Sequence, residues 1–204
     1  MERDLTKKNV FVTGAGKGIG KSLVLSLLDK GAYVYALTKS DKTLDELKKY
    51  KNLKIFYGDV NNSKLIKKIF KFSKKNKKLI NSIVNNAGLR QRKKFIKISP
   101  KDLEDIFKVN FFSIFKIMQE FVLYSKKNKI KSSIINIGSI VGENGFKELS
   151  GYASTKGALK SLTKSFAIEH AQENIRANLI NPGFIKTSYF KSFKSKKKIY
   201  INGL

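Results

Sequence analysis

The stretch Asn9-Val10-Phe11-Val12-Thr13-Gly14-Ala15-Gly16-Lys17-Gly18-Ile19-Gly20 decides how the rest of the chain is read. Asn9 to Thr13 is a short apolar run. The glycines make a tight turn, and Ile19, Leu23, Val24, Leu27 and Leu28 follow at helical spacing. The order is strand, turn, helix. Outward from it, Tyr33 to Thr38 is a second strand, Ser40-Asp41 signals a helix start, and Leu44 and Leu47 carry that helix to Lys49. Leu53 to Tyr57 is a third strand. After Gly58-Asp59-Val60 comes an amphipathic helix with Leu65, Ile66, Ile69 and Phe70, then a fourth strand from Leu79 to Val84. Strands alternating with helices predict a parallel sheet covered on both faces.

The second half continues the pattern. Ser99-Pro100-Lys101-Asp102 has a capping serine, a proline at the first helical position and an acid at the third. The long helix that follows is apolar nearly all round, through Ile106, Phe107, Val109, Phe111, Phe112, Ile114, Phe115, Ile117, Met118, Phe121 and Val122. One stripe facing one core does not account for this, so a second apolar surface is expected, most simply in a homodimer or homotetramer. Ser132 to Gly138 is a fifth strand, Tyr152 to His170 a helix, and Ile175 to Ile180 a sixth strand closed by Asn181-Pro182-Gly183. The expected fold is α/β: a doubly wound parallel sheet of six strands in three α/β/α layers.

Composition sets the outer limits. The 204 residues make one domain, and without cysteine the fold is held by packing alone. The N-terminus leads straight into a strand, and no apolar run approaches the ~18 residues of a membrane span. A soluble, cytoplasmic protein with no membrane partner is expected. The net charge of +28 would attract nucleic acid if it were focused. Instead the lysines are spread over the chain among many Asn, Ile and Phe residues, the mixture an A/T-rich genome produces. The runs Lys74 to Lys78 and Lys194 to Lys198 read as exposed loops without the interleaved aromatics of a base-stacking surface. No nucleic-acid partner and no metal site are expected. His170, the single histidine, reads as a helix-end surface residue, and Tyr189, Phe190 and Phe193 as packing.

Between a strand and a helix, Thr13 to Gly20 is the place where backbone N–H groups approach a pyrophosphate, because glycine permits positive φ and close contact. Gly14, Gly18 and Gly20 are spaced G-x-x-x-G-x-G, with Gly16 and Lys17 inside the turn; Ile19 stands where a G-x-G-x-x-G pattern would end. The sheet is thus expected to be Rossmann-like, with a dinucleotide on its edge. At the end of strand two stand Thr38, Lys39 and Ser40, with no acid before Asp41. An acid there would bind ribose hydroxyls and a cation a 2′-phosphate, so NADP(H) is preferred, with NAD(H) as the alternative. Lys17 can approach the same phosphate.

Tyr152 stands four residues before Lys156, with Ser139 upstream at the end of strand five. Tyr35/Lys39 and Tyr50/Lys54 share the spacing, as expected in so lysine-rich a chain, but only Tyr152/Lys156 lies on a helix behind such a serine. As a proton donor near neutrality, a tyrosine must lower its pKa from ~10 by about 3 units, or ~4 kcal/mol. A lysine ammonium ~4 Å away supplies a similar amount at an effective dielectric near 20. One helical turn brings the two together. Ser139 would hold a carbonyl oxygen by a hydrogen bond.

These segments together make the chain resemble the short-chain dehydrogenase/reductase family. The resemblance runs from residue 9 to about 190 and rests on Thr13 to Gly20, Asp59, Asn85-Asn86-Ala87-Gly88, Asn110, Ser139, Tyr152, Lys156, Pro182-Gly183 and Thr187. It implies hydride transfer between a nicotinamide coenzyme and a carbonyl or secondary alcohol. In the catalytic tetrad it implies, Asn110 holds a relay water, Ser139 orients the carbonyl, Tyr152 is acid and base, and Lys156 also binds the nicotinamide ribose. Asp59 and Val60 would meet the adenine, Asn86, Ala87 and Gly88 line the adenosine and central region, and Pro182, Gly183, Ile185 and Thr187 border the nicotinamide. The end of strand two is similar to NADPH-preferring carbonyl reductases, and Ser139 to Thr187 to 3-oxoacyl-[acyl-carrier-protein] reductases. An acyl-carrier-protein thioester is therefore an alternative substrate. Arg90 and Arg92 could touch an acidic one. The family's pattern continues through a further helix and a seventh strand. By that measure the chain is expected to be C-terminally truncated, with residues 184–204 a partial substrate flap and Ile175 to Ile180 an unpaired edge; a catalytically impaired dinucleotide-binding fragment is the corresponding alternative.

Overall fold

A computed structural model describes residues 4–39 and 43–185. Six strands form one parallel sheet: β1 (Asn9–Thr13), β2 (Tyr33–Thr38), β3 (Leu53–Tyr57), β4 (Ser82–Asn85), β5 (Ser132–Ile137) and β6 (Ile175–Ile180). Their order is β3-β2-β1-β4-β5-β6, so the winding reverses between β1 and β4. The helices are α1 (Gly18–Asp29), α2 (Ser63–Lys75), α3 (Pro100–Phe107), α4 (Ser113–Lys127) and α5 (Ser150–Glu169).

The two faces of β1 build two cores. Phe11 points to one side, with Tyr35, Ile83 and Ile134, and is covered by Ile69 and Phe70 of α2, Ile117 and Phe121 of α4, and Leu159 of α5. Val10 and Val12 point to the other, against Val24 and Leu28 of α1 and against Leu44 and Leu47. Strands buried on both faces read as continuous apolar runs, which is how β1 and β2 read.

Three expectations need correction. The helix expected from Ser40-Asp41 to Lys49 is a single 3₁₀ turn, Asp45–Leu47, with Ser40 and Asp41 outside the described residues. Leu44 and Leu47 are buried as expected, but the chain must return to β3 within a few residues, too short a run to propagate a helix. The fourth strand starts at Ser82 rather than Leu79, because Asn9 and Asn81 side chains bond that segment: Asn9 Nδ2 donates to Leu79 O at 2.8 Å and Asn81 Oδ1 accepts from Asn9 N at 3.2 Å. The long helix begins at the expected capping box, Ser99 with Asp102, but a π-type turn, Lys108–Phe112, separates α3 from α4. Such insertions recur at functional positions, and this one carries Asn110.

Candidate active site

Ligands bind where strand order reverses at the carboxyl edge of a doubly wound sheet. There a cavity of about 480 Å³ opens, walled by the glycine turn, by Asn86 to Arg90 after β4, by Ile137 to Val141 at the end of β5, by Tyr152 and Lys156 of α5, and by Pro182 to Ile185.

The glycine turn is clasped from behind. Gly14 has φ +64°, and a Cβ there would lie 2.8 Å from Ala87 Cα, so glycine is required twice over. Asn86 Nδ2 donates to Thr13 O and Gly14 O, both at 3.0 Å, while Thr13 Oγ1 accepts from the N–H groups of Asn86 and Ala87, both at 3.1 Å. α1 then starts behind Lys17 with no side-chain cap and no acid in its first turn. Its first N–H groups, at Gly18 and Ile19 on the cavity wall, are open to an anion. These residues fit a dinucleotide's pyrophosphate.

On the opposite wall Ser139 is in extended conformation and caps a 3₁₀ turn, Ile140–Gly142, by accepting from Val141 N at 3.2 Å. With its oxygen engaged as acceptor, the hydroxyl proton remains to be donated. Lys156 is buried, its Nζ donating to Ile137 O at 2.6 Å and lying 5.7 Å from the Tyr152 ring centre. Burial pushes its ammonium pKa down to about 8. At pH 7 the charged form still leads by about tenfold. A Cβ on Gly142 would come within 2.9 Å of Lys156 Cβ, which shows how closely the turn lies on α5.

The predicted residues divide into wall and support. Gly14, Lys17, Gly18, Ile19, Asn86, Ala87, Gly88, Ser139, Tyr152, Lys156, Pro182, Gly183 and Ile185 line the cavity. Thr13, Gly16, Gly20, Thr38 and Asn110 are buried behind it. Asn110 spends its amide on its neighbours: Oδ1 accepts from Leu89 N at 2.7 Å, and Nδ2 donates to Leu89 O at 2.8 Å and Thr155 Oγ1 at 3.1 Å. Lys39, Asp59 and Val60 lie farther along the edge. Lys39 pairs with Asp59 at 2.7 Å; burial alone would raise the Asp59 carboxyl, but bonds from Lys39 and the Asn61 backbone outweigh it and hold the pKa below the usual range. Arg90 is on the wall, whereas Arg92 pairs with Glu148 at 2.9 Å. Thr187, Tyr189, Phe190, Phe193 and Lys194 to Lys198 lie outside the described residues. Ile140, Val141 and Phe184 are wall residues that sequence reading passed over. Gly142 and Gly157, spaced for close approach of a turn to a helix, were the available signal. Among the described residues no helix is long and apolar enough to cross a membrane.

A sheet wound in this order, with open helix N–H groups at its switch point, is that of dinucleotide-binding oxidoreductases. The chain belongs to the short chain dehydrogenase family, whose model matches residues 8–198. It is 32% identical to 3-oxoacyl-[acyl-carrier-protein] reductase FabG of Buchnera aphidicola subsp. Schizaphis graminum over 200 residues, 96% of this chain and 82% of that enzyme. Among solved structures it is similar to a 4-hydroxyisoleucine dehydrogenase mutant complexed with NADH and succinate, at 31% identity and TM-score 0.86 over 93% of this chain and 79% of that one. It is also similar to ElxO with NADP bound, at 30% identity and TM-score 0.83 over 91% and 77%. Relatives of this fold thus bind either nicotinamide coenzyme.

Proposed function

We propose that the chain interconverts a carbonyl and a secondary alcohol with NADP(H) preferred, Tyr152 serving as acid and base. The observation that carries this is the convergence of Ser139, Tyr152 and Lys156 on one cavity opposite the open start of α1. A bound nicotinamide coenzyme would supply or accept the hydride. Ser139 donates its hydroxyl proton to the carbonyl oxygen, which fixes the carbonyl and stabilises developing charge. Tyr152 delivers the proton, and the Lys156 ammonium favours the phenolate left behind. Asn110 acts from behind by holding Leu89, next to Gly88 on the wall. Lys17 on the wall supports a 2′-phosphate, with Lys39 at the end of β2, beside the buried Thr38, able to exchange its bond to Asp59 for the phosphate. Arg90 is on the wall and no carboxylate is among the described lining residues, which favours an anionic carbonyl substrate; an acyl-carrier-protein thioester, neutral at its acyl group, is the alternative, its negative charge lying on the carrier. Exposed Phe112, Phe115 and Leu123 on the long helical segment support a homo-oligomer.

The test is turnover of NADPH and NADH with a panel of oxo acids and their neutral esters, followed by loss of nicotinamide absorbance. We expect higher kcat/KM with NADPH and with the acids, and a drop of at least about 10³-fold in Tyr152→Phe with coenzyme binding retained. Coenzyme binding without turnover of any carbonyl would instead favour a dinucleotide-binding role.

A further inference from the structure

Asn181, between β6 and Pro182-Gly183, bonds two separate parts of the site and reaches a third through one of them. Its Oδ1 accepts from Ser139 N at 3.0 Å, and its Nδ2 donates to Glu143 Oε1 at 2.9 Å. The other oxygen of Glu143 pairs with Lys160, one helical turn beyond Lys156 on α5. One amide therefore links the serine turn, the 3₁₀ turn after it, and the helix that carries Tyr152 and Lys156. Backbone bonds flank it on both sides: Gly138 N donates to Ile180 O at 2.7 Å and Ile140 N to Pro182 O at 3.2 Å.

Gly138 makes room for this arrangement. A Cβ built on it runs into Asn181 Oδ1 and comes within 3.1 Å of the Leu179 side chain. Gly138 has no positive φ among the backbone exceptions, so its lack of a side chain answers to space rather than to conformation. A side chain at 138 and an amide at 181 exclude one another. In the sequence Gly138 reads only as the end of the fifth strand; the structure makes it half of a fitted pair.

We infer that Asn181 is a positioning residue that sets the Ser139 hydroxyl relative to Tyr152, with Gly138 conserving the space it needs within this chain. The inference rests on the proposed carbonyl chemistry, since it assigns Asn181 a part in orienting the group that holds the carbonyl. Displacement of a positioned group by about 1 Å costs on the order of 10²-fold in rate, so a lost anchor should show in kcat before it shows in binding. Asn181 itself touches no substrate; it acts through Ser139.

The experiment is a set of variants measured for kcat, KM, coenzyme dissociation constant and thermal midpoint. Asn181→Ala should lower kcat by about ten- to a hundredfold while the NADPH dissociation constant stays within about twofold. Asn181→Asp combined with Glu143→Gln reverses the donor between them but keeps an acceptor for Ser139 N and an oxygen for Lys160. This swap should return kcat to within about threefold of the parent. Gly138→Ala should lower the thermal midpoint in the parent and much less in the Asn181→Ala background, which reads the contact without any turnover. If Asn181→Ala keeps the parent's kcat, or loses kcat, coenzyme affinity and thermal midpoint together with no rescue by the swap, the positioning role is wrong. A parent that turns over no carbonyl would instead overturn the proposed reaction, and the thermal cycle would still report whether the pair is fitted as described.

Discussion

β1 and β6 lie in the same parallel sheet, yet only β1 is covered on both faces. Val10, Phe11, Val12 and Thr13 are all buried, Phe11 under α2 and α4, Val12 under α1. In β6, Ile175 and Ala177 are buried toward α5, while Arg176, Asn178 and Ile180 face outward and are exposed. β6 is also one of the sheet's two edges among the described residues, β3 being the other. The comparison separates two jobs. The β1 side is a packed scaffold whose glycine turn needs a fixed backbone; the β5–β6 side places Ser139 and Asn181 through hydrogen bonds more than through burial.

Truncation on the packed side should cost most. Phe11 is fully buried and meets Phe70 edge to face at a centroid distance of 6.0 Å. Phe11→Ala should destabilise the chain by about 3–5 kcal/mol, a large share of a domain's ~5–15 kcal/mol. Thermal and urea unfolding followed by circular dichroism check this. A loss below about 1 kcal/mol would mean that β1 is no better packed than β6 and would erase the contrast.

Lys156 sharpens the comparison with an effect of opposite sign. Its folded pKa of about 8 lies below the ordinary 10.5, so between these values the unfolded chain holds more protons than the folded one. Stability should therefore rise with pH across that window, by roughly 3 kcal/mol in all, while below pH 8 the cost of the buried ammonium is present in full. Lys156→Met should remove that pH dependence and raise stability at pH 7 by about 2 kcal/mol, less the lost bond to Ile137 O, while abolishing reduction. In the parent, kcat/KM for reduction should fall as pH rises past about 8, where the ammonium loses its charge. Unfolding at pH 7, 9 and 11, beside a pH–rate profile, measures both. Equal pH slopes for parent and variant would show that Lys156 is not the group responsible.

The same division explains what could be read from the chain. β1, β2, β3 and β6 have the bounds that their apolar runs predict, because strands confined by neighbours start and stop where burial does. The site's order was legible too: a glycine turn, then Asn86 to Gly88, Ser139, Tyr152 and Lys156, each at a strand end or in the first turns of a helix. What sequence could not give was which way a side chain faces. Thr13 and Asn110 carry site-like chemistry, but their polar atoms are bound to Asn86, Ala87, Leu89 and Thr155 behind the wall. The π-type turn at Asn110 leaves no mark in an apolar pattern that continues on both sides of it. Asn181 looked like part of a turn because its partners, Ser139 and Glu143, lie about forty residues upstream.

The smallest effect should come from the open face of β6. Ile180 is half exposed, and its carbonyl accepts from Gly138 N. Replacing the side chain removes little burial, so Ile180→Lys should change stability by no more than about 0.5 kcal/mol. A lysine on an edge strand also opposes strand-to-strand pairing between copies, so the variant should scatter less light at high concentration. Turnover should stay near the parent's, because the bond that holds the serine turn is made by backbone. A loss of more than about 2 kcal/mol would show that Ile180 is buried in solution against something further, and β6 would then be as enclosed as β1.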